Sequence, residues 1–112
     1  MNNVSTTLPA ITENGTFLNL NLISAKKAAM ILRAVNHNLR QQILKLIDEN
    51  GKMTVTEIYI QLRLEQSVAS QHLAILRKAG FVNTDRDGKF IYYSVNHKRL
   101  EELNHFIIDL LK

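Results

Sequence analysis

A chain of 112 residues with 46% apolar and 21% charged residues has room for one globular core and too much apolar content for a disordered chain. It carries a formal net charge of +4 and no cysteine, which removes disulfides, thiol catalysis and thiolate metal sites together. The start lacks the basic onset and unbroken apolar run of a secretion signal, and no stretch approaches the roughly 20 apolar residues that span a bilayer, so a soluble cytoplasmic protein is expected. A single core of this size is modest, and a second copy of the chain would add apolar burial.

Residues 1–19 are rich in Asn, Thr and Ser, include Pro9 and Gly15, and show no sustained period, which predicts a flexible N-terminal arm. The domain proper is expected over residues 20–112. Leu22, Ile23, Ala29, Met30, Leu32 and Ala34 allow a first helix over about 20–35. A second, over about 38–50, puts Leu39, Ile43, Leu46 and Ile47 on one face and ends at Gly51. Thr54 and Glu57 have the spacing of a capping box, which starts a short helix with Ile58, Leu62 and Val55 turned inward.

The next helix runs from about Gln66 to Ala79 and stops at Gly80. Val68, Ala69, Leu73 and Leu76 share one side, while Ser67, Ser70, Gln71, Ala74 and Lys78 line the other. Phe81, Val82 and Thr84 suit a strand, as do Phe90, Ile91, Tyr92, Tyr93 and Val95, with residues 85–89 as the connecting hairpin turn. A last helix over about 97–111 carries Leu100, Leu103, Phe106, Ile107, Leu110 and Leu111 as a broad apolar stripe.

The pattern is mostly α with a small β-hairpin: about five helices and a two-stranded antiparallel wing, the outline of a winged helix-turn-helix. A polar helix face is usually only a solvated one. Here it follows a capped helix and a tight turn and precedes a basic hairpin, and that conjunction points to double-stranded DNA. From Leu62 to Arg99 there are seven basic residues against three acidic ones, so the positive excess lies on this half of the chain. Gln66, Ser67, Ser70 and Gln71 are the candidate base-edge readers. Arg77, Lys78, Arg86 and Lys89 are the candidate phosphate contacts, although cations at a helix C-terminus also answer the helix dipole. His72, at the edge of the apolar face, is expected to be half-buried and locally hydrogen-bonded. His97 and His105 lie eight residues apart, longer than the i, i+4 spacing of a helical chelating pair, and are expected to be surface residues. No nucleophile with its base, phosphate-binding glycine loop or carboxylate pair suggests an enzyme.

LEQSVASQHLAILRKAGFV, followed by DGKFIYYSV, resembles the ArsR-type winged-helix repressors. Leu64, Gln66, Ser67, Ser70, His72, Leu73, Leu76, Ala79, Gly80, Val82, Gly88, Tyr92 and Tyr93 carry the likeness, which extends over roughly residues 29–111. The resemblance implies a homodimer whose first and last helices pack across a two-fold axis and present two reading helices to a pseudo-palindromic operator. Leu22, Leu100, Leu103, Phe106, Ile107 and Leu110 are the expected dimer-interface residues. Many members leave DNA when a metal or other inducer binds. Where metal-sensing members carry cysteines, this chain has Tyr59 and Gln61, and where others carry ligands in the last helix it has His97, Arg99 and Leu110. The expectation is therefore a homodimeric repressor with no metal and no cofactor, controlled by an unknown small molecule or partner protein if by any inducer. The alternatives are a winged-helix interaction module that no longer binds DNA, and a metal sensor built from His97, His105, Glu101, Glu102 and Asp109.

Overall fold

The computed structural model describes residues 7–11 and 17–112, in two compact units that divide between Arg33 and Ala34. In the first, β1 (Thr7–Ile11) and β2 (Phe17–Asn21) pair antiparallel, with Ile11 opposite Phe17 and Thr7 opposite Asn21. The chain passes directly into α1 (Leu22–Val35), where the Asn21 side-chain oxygen accepts from the Ser24 N–H at 2.9 Å and caps the first turn. β1 and the start of β2 fall within residues 1–19, the span expected to form a loose arm. Pro9 is compatible because each strand of a two-stranded ribbon has an unpaired edge. Residues 1–6 and 12–16, the rest of that arm, lie outside the described residues.

The second unit is built from α2 (Asn38–Asn50), β3 (Met53–Thr54), α3 (Val55–Leu62), α4 (Gln66–Lys78), β4 (Val82–Asp87), β5 (Phe90–Val95) and α5 (His97–Leu111). Its core is Ile43 and Ile47 from α2, Ile58 from α3, Leu73 and Leu76 from α4, and Phe81, all closed to solvent. Burying each such side chain is worth roughly 1.5–3 kcal/mol, enough to fix the order in which three short helices pack. Val68, expected inward, is only half-buried, because Ala69, Leu73 and Leu76 already fill the contact. No described helix is long and apolar enough to cross a membrane.

The two-stranded wing is present as the β4–β5 hairpin, and β3 joins it to make a three-stranded antiparallel sheet of order β3-β5-β4. Met53 pairs with Tyr93 and Thr54 with Tyr92. Met53 is buried and Thr54 is extended, at φ −82° and ψ 162°, so the segment before the α3 cap falls naturally on the free edge of β5. The connection between β4 and β5 shrinks from residues 85–89 to Gly88-Lys89, because Asp87 pairs with Phe90. Gly88, at φ +63°, takes the left-handed place of that two-residue turn. Arg86 is therefore a strand residue opposite Ile91, its Nε donating to the Gly88 carbonyl at 3.3 Å, and Lys89 alone of the two occupies the tip.

Both helices of the helix-turn-helix end in the same way. Beyond α4, the Phe81 N–H donates to the Leu76 carbonyl at 2.9 Å and the Gly80 N–H to that of Arg77 at 3.0 Å, a Schellman motif with Gly80 at φ +87°. Beyond α3, the Leu64 N–H reaches the Tyr59 carbonyl at 2.9 Å and the Arg63 N–H that of Ile60 at 3.2 Å. Here the left-handed residue is Arg63, at φ 55° and ψ 46°. It carries a Cβ where glycine would carry none.

His72 joins α4 to the start of α2. The Arg40 side chain donates through Nε to the Ala34 carbonyl at 2.7 Å, and its terminal nitrogen lies 3.1 Å from His72 Nδ1. His37 caps α2, its Nδ1 accepting from the Leu39 N–H at 3.2 Å, and its ring centroid is 4.9 Å from that of His72. The expectation that His72 bonds locally is thus corrected to a tie across 32 residues of sequence, which only the packing of α2 on α4 creates. Burial first, then the His37 ring and the Arg40 guanidinium, holds the His72 imidazole below its ordinary value of 6.5.

Two outcomes follow from these contacts. The unfolded chain binds a proton at His72 that the folded chain resists, so this part of the stability is fully present above pH 6.5 and is lost as pH falls below it toward the lowered folded value. Urea midpoints at pH 7.5 and 5.5 should fall for the wild type and fall less for His72→Gln; an unchanged difference in the variant would remove His72 as the cause. An L-residue in the left-handed region costs roughly 1–2 kcal/mol, partly offset by the larger unfolded-state entropy of glycine. Arg63→Gly should therefore stabilise by about 0.5–1 kcal/mol and Arg63→Val should destabilise, a sign difference that thermal denaturation reads directly.

Candidate nucleic-acid interface

The site is assembled from three elements: the capped start of α3, the outer face of α4 and the tip of the wing. The Thr54 hydroxyl accepts from the Glu57 N–H at 3.2 Å while the Glu57 carboxylate accepts from the Thr54 N–H at 2.8 Å, so the capping box closes as its spacing implies. The turn then carries the chain into α4, whose first residues are held by the Glu65 carbonyl, which accepts from the Val68 and Ala69 N–H groups at 3.1 Å. The Glu65 side chain makes no cap bond. Its exposed carboxylate places a negative charge at the helix N-terminus, where the dipole favours it but a phosphate would not.

With Ala69, Leu73 and Leu76 buried, the α4 helix at about 100° per residue turns Ser67, Gln71 and Lys78 most directly outward. Gln66, Ser70 and Arg77 are also exposed, but lie toward one flank. The polar residues read from sequence are therefore together on one accessible helix, with Gln71 and Ser67 near its centre. Such a face offers neutral donors and acceptors to base edges with few fixed charges to desolvate. In the wing, alternation puts Arg86 on the face shared with Ile91 and Tyr93, while Phe90, Tyr92, Asp85 and Asp87 share the other. Lys89 Nζ sits 5.4 Å from the Phe90 ring centroid and Lys52 Nζ 4.7 Å from that of Tyr92, so both ammonium groups are gathered beside the exposed aromatic face.

The residues that aim α4 were not among those read from the sequence. Asn96 Nδ2 donates to the Gly80 carbonyl at 2.9 Å, the Asn96 N–H to the Phe81 carbonyl at 2.8 Å, and Arg99 Nε to the Ala79 carbonyl at 3.0 Å. Asn96 also caps α5, its Oδ1 accepting from the Arg99 N–H at 3.2 Å. The start of α5 thus takes three successive carbonyls just beyond α4. An asparagine immediately before an amphipathic run is a legible cap, but its second role depends on a partner 16 residues away.

The expected dimer residues fall into two sets. Leu22 is exposed at the start of α1. On α5 no residue is buried: Leu100, Leu103 and Ile107 are half-covered, while Phe106 is 46% and Leu110 66% exposed. His97 is exposed with its Nε2 2.8 Å from an Asp48 carboxylate oxygen, and His105 is exposed further along α5.

Residues 37–84, from the α2 cap through the start of the wing, match the model for bacterial regulatory proteins of the arsR family. An uncharacterised HTH-type transcriptional regulator of Methanocaldococcus jannaschii is 38% identical over 76% of this chain and 96% of its own. The transcriptional activator HlyU of Vibrio cholerae is 36% identical over 73% and 78%. Among solved structures, the transcriptional repressor PagR of Bacillus anthracis superimposes with a TM-score of 0.61 at 33% identity, over 80% of this chain and 98% of that one. With the capped helix, turn, exposed polar helix and wing all in place, the chain belongs to the ArsR family of winged helix-turn-helix, DNA-binding transcriptional regulators.

Proposed function

We propose that this protein is a homodimeric repressor that binds a pseudo-palindromic operator through α4 and its wing and carries none of the family's metal-sensing sites. The observation that bears most weight is the polar outer face of α4, whose C-terminal end is held by a Schellman motif and by the Asn96 and Arg99 bonds. Ser67, Gln71, Ser70 and Gln66 read base edges. Lys78, Arg77, Lys89 and Arg86 contact phosphate, with Arg86 and Lys89 acting from different positions on the wing. A cytoplasmic location follows from that role.

The apolar residues of α5 that stay uncovered in a single chain support a dimer in which α5, with Leu22 of α1, meets its copy. Two-fold symmetry then sets the reading helices ~34 Å apart, one turn of B-DNA. The metal-free reading is supported by what occupies the family's ligand positions. Arg99 is committed to the Ala79 carbonyl, Leu110 offers no donor atom, and Tyr59 and Gln61 replace thiolates on α3. Relief of repression then depends on protein abundance, a small organic ligand or a partner protein.

Fluorescence anisotropy with a duplex selected from genomic fragments tests the reading mode. Gln71→Ala combined with Ser67→Ala should bring operator and random DNA together in affinity, at about 1–3 kcal/mol of discrimination per lost bidentate contact. Lys89→Ala should weaken both DNAs alike and reduce the slope of log K against log salt by about one unit. Undiminished discrimination by the double variant would exclude α4 as the reader. The dimer is tested by sedimentation: wild type should be dimeric at micromolar concentration and Ile107→Glu monomeric, with operator binding reduced at least tenfold. A wild type that sediments as a folded monomer would overturn it.

A further inference from the structure

The outward face of α4 is not wholly polar. Ile75 is 41% exposed, one turn beyond Gln71 and about 40° from it around the helix axis. It is not among the closed core residues, which on α4 are Ala69, Leu73 and Leu76. A branched apolar side chain left in water on a helix forgoes burial and has poorer helix propensity than alanine or lysine. Ala74, which precedes it, is exposed but small, so Ile75 is the large apolar side chain of this face.

We infer that Ile75 is a specificity-determining residue of the DNA interface, packing its side chain against the 5-methyl group of a thymine in the major groove. This rests on the DNA-reading role of α4. The occupant is fixed by where Ile75 sits: it continues the row of Ser67 and Gln71 at four-residue spacing, so whatever Gln71 touches lies about 6 Å from it along the helix. In a major groove that span reaches a base pair within two steps of the one read by Gln71. The apolar feature that groove presents there is the thymine methyl, whereas cytosine at the same place presents a bare ring carbon and an amino donor. Gln71 suits adenine through its N6 and N7, so the two side chains together favour an A·T-rich half-site, Gln71 by hydrogen bonding and Ile75 by methyl contact. Lys78, three residues further on the same face, is placed to anchor this end of the helix to phosphate.

The experiment uses the full-length protein and a duplex that it selects from a random library. Each thymine of one half-site is replaced singly by deoxyuridine, which removes the methyl and leaves base pairing unchanged. Wild type should lose affinity about fourfold at one position, the value of burying one methyl-sized group. Ile75→Ala, which leaves every closed core residue in place, should bind the thymine and deoxyuridine duplexes equally, while Ile75→Val should retain part of the difference. If no substitution affects the wild type, or if Ile75→Ala keeps the same sensitivity, the assignment of Ile75 is wrong while the reading helix stands. If the protein enriches no sequence at all, the DNA-reading role of α4 fails and the inference fails with it.

Discussion

Phe81 is the residue on which the rest of the second unit turns. Its ring is closed to solvent, its N–H finishes the Schellman motif that ends α4, and its carbonyl accepts from Asn96 at the start of α5. The Arg99 guanidinium lies 6.0 Å from the same ring while its Nε holds the Ala79 carbonyl. Gly80 makes this junction possible twice over. Its φ of +87° closes the motif, and a Cβ there would approach the Arg99 side chain to 3.2 Å. Burial and backbone bonding are thus satisfied by one residue and its immediate neighbours, which fasten the end of α4 to the start of α5.

That attachment has a counterpart at the other end. The tie from Arg40 to His72 and the Ala34 carbonyl fixes α4 against the entry to α2, and the capping box fixes α3 against β3. Among the described residues no core side chain is polar, so position is set by hydrogen bonds at the periphery and cohesion by the apolar centre. A reading surface that is pre-formed in this way loses less entropy on binding than one that must be ordered by its ligand.

What could be read without coordinates was local. Thr54 and Glu57, Gly51, Gly80 and the apolar stripes of α2, α4 and α5 each announce themselves within a few residues, and the helices they delimit are present with ends that shift by one or two positions. The exposed polar face of α4 followed from the same periodicity. What escaped was non-local: β3 exists because Met53 finds Tyr93 forty residues away, and Arg40, His72, Asn96 and Arg99 acquire partners through tertiary packing. The pairing of β1 with β2 escapes for another reason, because the Asn- and Thr-rich composition of residues 1–19 outweighs the β-prone runs within it. The wing was drawn too loosely for a related reason: Asp85, Arg86 and Asp87 look like loop residues, yet they sit on a strand whose partner, β5, is strongly β-forming.

The position of β5 within the sheet has a consequence for solubility. FIYYSV is six residues of high β-propensity with no charge and no proline, the composition that templates intermolecular cross-β stacking when its backbone is free. Here β3 covers one edge at Tyr92 and Tyr93 and β4 takes the other along its whole length, so the two flanking strands limit the backbone left open. One is only two residues long, and the other carries three consecutive charges, Asp85, Arg86 and Asp87, that disfavour strand addition. The same acidic residues that dilute the positive charge of the wing therefore guard it against self-association, which lets the hairpin protrude into solvent without becoming a seed for aggregation.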